Sequence, residues 1–133
     1  MSDWNLDEEL GADLEPMIRE FYDELFDDVI VGFLFQPHDK EELIASQIRW
    51  LRAHLGDRAG TWDGGSIRKI HARLPILSGH FDRRHHILKL LLERWDVPDR
   101  VREEWLLLDA ALRPLVLNLG AIERDRILSD EDD

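Results

Sequence analysis

The side chains in this 133-residue chain that could do chemistry are its six histidines: His38, His54, His71, His80, His85 and His86. The chain has no cysteine, which excludes disulfides, thiolate metal sites, iron–sulfur clusters and cysteine nucleophiles. It contains no His-Glu-x-x-His sequence, no Gly-x-Ser-x-Gly elbow and no glycine loop able to cradle phosphate. The run His80-Phe81-Asp82-Arg83-Arg84-His85-His86 suggests a metal site by composition. On a helix, however, His80 and His85 lie about 140° apart, off the spacing that chelation prefers. Arg83 and Arg84 would also repel a divalent cation, so this run reads as solvated surface.

His71 has a different setting. Ile67, Ile70, Leu74 and Ile76 surround it with apolar side chains, and Arg68, Lys69 and Arg73 surround it with positive charge. One imidazole in an apolar wall is what a haem protein offers its iron, and the three bases suit two haem propionates. The alternative is a partly buried structural histidine. Tyr22 and Gln47 carry a second signal, because each falls on the apolar stripe of a helix, among Phe21, Phe26, Phe35, Leu43 and Leu51. A buried polar group without a partner costs about 1–3 kcal/mol, so the two either satisfy one another or face a ligand.

The elements that must position these residues are helical almost throughout. In Pro16–Ile30 the apolar residues Ile18, Phe21, Tyr22, Leu25, Phe26 and Val29 form one stripe, opposite a face filled with acids. Gly32 through His38 breaks the period. Asp39, with Glu42 three residues on, has the form of a capping box for a helix to about Leu55, which Gly56 ends. Asp57–Gly65 reads as a loop, and Ser66 caps a short piece over Ile67–Arg73 that Pro75 terminates. Ser78 or Gly79 opens a helix to Trp95, and Asp99 caps a last one to about Leu119. No sustained alternating pattern and no repeat interrupt this, so the class is all-α, with five or six helices.

Seventeen bases against 29 acids give a formal net charge of -12. Residues 3–28 account for -10 of it and residues 123–133 for another -4, leaving the middle at +2. The acidic ends are expected to be solubilising appendages around a near-neutral body. So negative a chain argues against nucleic acid as a partner. No apolar run approaches the ~20 residues that cross a bilayer. A soluble cytoplasmic protein, with no membrane partner and existing as a monomer or weak dimer, is the expectation.

Taken in order, Phe21-Tyr22-Asp23, Phe35, Leu43, Gln47, Trp50-Leu51, Leu55-Gly56, Trp62-Asp63-Gly64, Ile70-His71, Ile76 and His80-Phe81-Asp82 resemble the truncated haemoglobins. The resemblance covers about residues 14–118 and implies a truncated globin-like two-over-two helical sandwich, with residues 1–133 as a single domain. It implies haem (iron protoporphyrin IX) as cofactor and His71 as the iron ligand. Tyr22 matches the distal tyrosine, Gln47 the glutamine that supports it, and Leu43 the first distal position of the same helix. Phe35 and Phe81 match aromatics packed against the porphyrin, and Trp50 and Leu51 match apolar positions at the back of the pocket. Ile76 belongs to the same wall, while Arg68, Lys69 and Arg73 stand as propionate partners.

The tyrosine–leucine–glutamine set is closest to the first of the family's three groups. The chain departs from the family pattern in lacking the Gly-Gly pair before the tyrosine and in having Trp62 where a tyrosine is usual. It also has Arg84 where the family has an apolar residue or tryptophan. Either that helix is rotated, or Arg84 reaches a propionate, or the pocket is altered.

The function implied is reversible binding of oxygen and other diatomic gases (NO, CO). Nitric-oxide dioxygenase or peroxidase-like turnover would depend on an external reductase. The alternatives are a gas sensor or carrier without turnover, and a haem-free helical interaction module. The acidic first helix, or Trp4 and Trp105 as exposed tryptophans, would give a sensor its partner surface.

Overall fold

A computed structural model describes residues 4–56 and 76–117, and over these the chain is all-α, as the periodicity predicts. Helix α1 (Leu6–Leu10) leads through a 3-10 turn (Gly11–Asp13) into α2 (Leu14–Asp27). The short α3 (Gly32–Phe35) and the long α4 (Lys40–His54) complete the first part. Beyond the undescribed stretch come α5 (Ser78–Arg94), α6 (Asp99–Ala111) and α7 (Arg113–Val116). His71, Arg68, Lys69 and Arg73 lie outside the described residues, as do the loop and short helix expected over 57–75. No helix among the described residues is long and apolar enough to cross a membrane.

The caps follow from side-chain chemistry. The Asn5 carboxamide oxygen accepts from the Asp7 and Glu8 amides to start α1, and Asp39 accepts from the Glu42 amide (3.2 Å) to start α4. Helix α2 stops at Asp27 rather than running to Ile30. Asp28 takes an extended backbone, and its carboxylate accepts from the Ile30 (3.0 Å) and Val31 (3.2 Å) amides. Val29, expected on the buried stripe, is therefore 95% exposed.

Leu14, Met17, Ile18, Phe21 and Leu25 of α2 are essentially solvent-free and pack against α4 and α5. Ile44, Ile48 and Leu51 of α4, Leu88, Leu91 and Leu92 of α5, and Val101 and Trp105 of α6 close the same core. Trp4 and Trp105 are buried, at 3% and 2% exposure, which corrects the expectation of a tryptophan docking surface. Each buries a large apolar ring, and the Trp4 indole N–H still finds a partner in the Glu104 carboxylate (2.7 Å). Gly56, at φ 85°, ends the turn after α4 where a Cβ would stand 2.9 Å from the Trp4 carbonyl oxygen. The N-terminal tryptophan is thus seated against the end of α4.

The acidic N-terminal part is also no appendage. Asp7 pairs with Arg52, Glu9 with Arg100, Glu20 and Glu24 with Arg94, and Asp28 with Arg83. Most of these pairs are exposed and individually worth little. Asp28 differs because its side chain keeps only 5% exposure. The Arg83 guanidinium holds its carboxyl below the usual carboxylate range, against the effect of desolvation.

The unfolded chain therefore binds the Asp28 proton more readily than the folded one. The stability Asp28 contributes is full above its unfolded pKa of about 4 and is lost as pH falls through the lower folded value. Asp28→Asn is expected to flatten the fall in unfolding free energy below about pH 4. Urea unfolding across pH 2.5–6 reads this directly, and an identical acid limb in the variant would contradict it.

Candidate functional site

The core is divided. A large cluster holds α1, α2, α4 and most of α5 and α6 together, and a smaller one joins Ile76, Phe81, Leu112 and Leu117. Leu34 and Trp50 pack against both clusters. Between the two lies a cavity of about 440 Å³, walled by Val31, Leu34, Phe35, Leu43 and Trp50 on the first side. Ile76, Phe81, Leu112 and Val116 wall it on the other, and Tyr22, His38, Ser46, Gln47, His80 and Arg84 supply its polar groups.

The periodicity of α2 puts Tyr22 one position after the core residue Phe21, so its ring turns from the core toward this space. The ring is only 6% exposed and meets Phe21 and Phe35 edge to face, with centroids 5.5 and 6.1 Å away. Its hydroxyl makes no hydrogen bond to another described residue, and neither does the Gln47 amide, so the two do not satisfy each other. Burial pushes the Tyr22 pKa up, against the opposing pull of Arg84, so the phenol stays protonated and able to donate at neutral pH.

Arg84 is turned largely inward, with its side chain 17% exposed. Its Nη1 donates to Asp109 Oδ1 at 2.6 Å, and its guanidinium lies 5.3 Å from the centroid of the Phe21 ring. The His85 ring stands 2.7 Å from the other Asp109 oxygen and stacks on Phe81. Side-chain exposures of 17% for Arg84, 3% for Asp109 and 29% for His85 make this a largely internal triad. Desolvation opposes the charge on both partners of the Arg84–Asp109 pair. Their mutual attraction outweighs it, raising the arginine pKa and lowering that of the aspartate.

The cavity thus gathers Tyr22, Phe35, Leu43, Gln47, Trp50, Ile76 and Phe81, which the sequence had grouped. Leu51 is not among them. One residue past Trp50 the helix has turned about 100°, which sends Leu51 into the main core with no exposure. His85 is not the solvated surface residue expected of its run, because Asp109 and Phe81 hold it. Among the described residues no group of three metal-ligating side chains forms.

Sequence reading missed Asp109, whose signal was available: it continues the buried stripe of Val101 and Trp105 at helical spacing. It also missed His80 as a lining group. The Leu77 amide donates to Nδ1 of His80 (3.1 Å), and the ring meets Phe33 edge to face.

Chemically, this is a mainly apolar chamber whose polar groups are the Tyr22 and Ser46 hydroxyls, the Gln47 amide, the His38 and His80 imidazoles and the paired cation Arg84. Ser46 accepts from Arg49 (3.1 Å), and among the described residues neither Ser46 nor Tyr22 hydrogen-bonds to a base of the kind that would activate a hydroxyl. The arrangement suits binding. Set against known proteins, the chain matches no family model, no curated protein and no solved structure.

Proposed function

We propose that the protein is a haem-binding globin of the truncated, two-over-two type that reversibly binds oxygen and other diatomic gases. The observation that carries this reading is the largely buried, protonated Tyr22, whose hydroxyl makes no hydrogen bond to another described residue and stands with Gln47 in the lining of a mainly apolar cavity. Such a hydroxyl is available as a donor to a ligand that enters the cavity. At about 440 Å³ the cavity falls within the ~300–1,000 Å³ of small-molecule and cofactor sites.

The donor set fits haem. Phe35, Phe81, Leu43 and Trp50 offer flat and branched apolar surface to a porphyrin. His71, with Arg68, Lys69 and Arg73 beside it in the sequence, supplies the imidazole and the propionate partners. Haem, when bound, supplies an iron coordination position for a diatomic gas. Tyr22 donates a hydrogen bond into the space where that gas sits, and Gln47 adds a second polar group. Leu43 and Phe35 exclude water. Removal of nitric oxide by turnover would draw electrons from an external reductase.

Purified protein loaded with haem is expected to give a Soret band that shifts on reduction and again with carbon monoxide. Protein that leaves haem in solution would refute the reading. Oxygen bound to ferrous iron carries partial negative charge and carbon monoxide far less, so Tyr22→Phe should discriminate between them. It is expected to speed oxygen dissociation at least about tenfold, a loss of roughly 1.4 kcal/mol, with little change for carbon monoxide. Equal effects on both gases in stopped-flow measurements would remove Tyr22 from the ligand's surroundings.

A further inference from the structure

Arg84 is the one cation that lines the chamber among the described residues, and its surroundings argue for a ligand role. A surface arginine would point to water. This one is held inside, with one nitrogen committed to Asp109 and the ring of Phe21 beneath it. Its Nε and Nη2 groups make no hydrogen bond to a described residue, although the side chain is only 17% exposed. Tyr22, on the same chamber wall, has its hydroxyl free as well. Two unspent donors, one cationic, thus line one apolar space, and donors of this kind bind an anion far better than a neutral molecule.

We propose that Arg84 and Tyr22 form an anion-binding subsite within the chamber, which selects small monovalent anions such as azide, fluoride or nitrite as ligands of the ferric protein over neutral ligands of similar size. The proposal rests on the haem reading above and adds the ligand class for the oxidised state. Asp109 is its positioning residue. It cancels the arginine's charge enough to make burial tolerable while holding the guanidinium within the wall. Binding is a simple coordination. Ferric haem, when bound, would supply the coordination position for the anion, while Arg84 and Tyr22 would donate N–H and O–H hydrogen bonds to it, and no electron would be transferred.

Truncating Arg84 alone would strand the Asp109 carboxylate, so two other variants carry the test. Arg84→Met combined with Asp109→Leu removes the pair together, and Arg84→Lys keeps the charge with a single donor head. Azide titration of the ferric protein, followed at the Soret band, is expected to show about tenfold weaker binding in the double variant. Arg84→Lys should stay within about threefold of the parent. Carbon monoxide affinity of the reduced protein should change less than about twofold in both, since that ligand carries no charge. Azide and carbon monoxide weakening together, or neither weakening, would overturn the subsite while leaving haem binding intact. Absence of a Soret band in the parent protein would overturn the functional reading itself, before any anion is added.

Discussion

Asp109→Ala is expected to lower stability by about 3 kcal/mol, the low end of the ~3–5 seen when one partner of a buried ion pair is removed. The reason lies in what remains. Arg84 cannot lose its proton at any accessible pH, and at 17% exposure it has little water to turn to. Its one carboxylate partner, at 2.6 Å, would be gone, and His85 would lose its partner at the same stroke. A loss of this size in a domain of this length moves the melting temperature by roughly 10 °C. The double variant Arg84→Met, Asp109→Leu should recover most of it, because two apolar side chains of similar volume carry no desolvation cost. Urea unfolding of both variants gives the coupling. Equal losses in the single and double variants would mean that the pair is not what Asp109 holds together.

The position of Asp109 shows what was readable in advance and what was not. Helical period alone recovers α2, α4 and α5 to within a few residues, because each has an apolar stripe that must be buried, whereas the last helix, expected to about Leu119, stops at Ala111 and is followed by the separate α7. The same stripe contained Asp109, yet a carboxylate four residues past a buried tryptophan reveals nothing of its partner. Arg84 lies 25 positions earlier on another helix, and only packing brings them together. Val29 failed for a local reason: Asp28 spends its carboxylate on the Ile30 and Val31 amides and on Arg83, so the chain turns before Val29 can join the stripe. Trp4 and Trp105 failed for the opposite reason. Tryptophans flanked by charges look exposed in sequence, while their neighbours Glu104 and Asn5 serve as a hydrogen-bond acceptor and a cap.

The candidate site was more legible than the fold's edges. Seven of the residues grouped by the sequence meet at one cavity, because spacing along α2 and α4 sets which face each side chain takes. The Leu51 assignment shows the limit of that inference. One residue of helix is enough to move a side chain from a chamber wall to the core behind it.

His71→Ala should abolish stable haem retention, and the placement of the other histidines says which of them could compete for the iron. An iron ligand must be a neutral imidazole with a free ring nitrogen. His80 lines the chamber, but the Leu77 amide donates to its Nδ1, which places the ring proton on Nε2 and leaves no lone pair to give. His85 and His54 do not line the chamber: His85 is held at Asp109, and His54 sets its Nδ1 against the Trp50 carbonyl oxygen (2.9 Å) with its ring stacked on that indole. His38 lines the chamber as well, exposed, from the turn between α3 and α4. His71 stands five residues before the wall residue Ile76 in the sequence.

His71→Ala protein passed over a sizing column after haem loading should therefore emerge without a Soret band, while His80→Ala and His38→Ala keep theirs. Retention in His71→Ala together with loss in His38→Ala would move the iron's anchor to the turn before α4. Tyr22, Gln47 and Leu43 would then share the ligand's side of the iron with the anchoring group, and the assignment of that wall as the gas-binding one would fall with it.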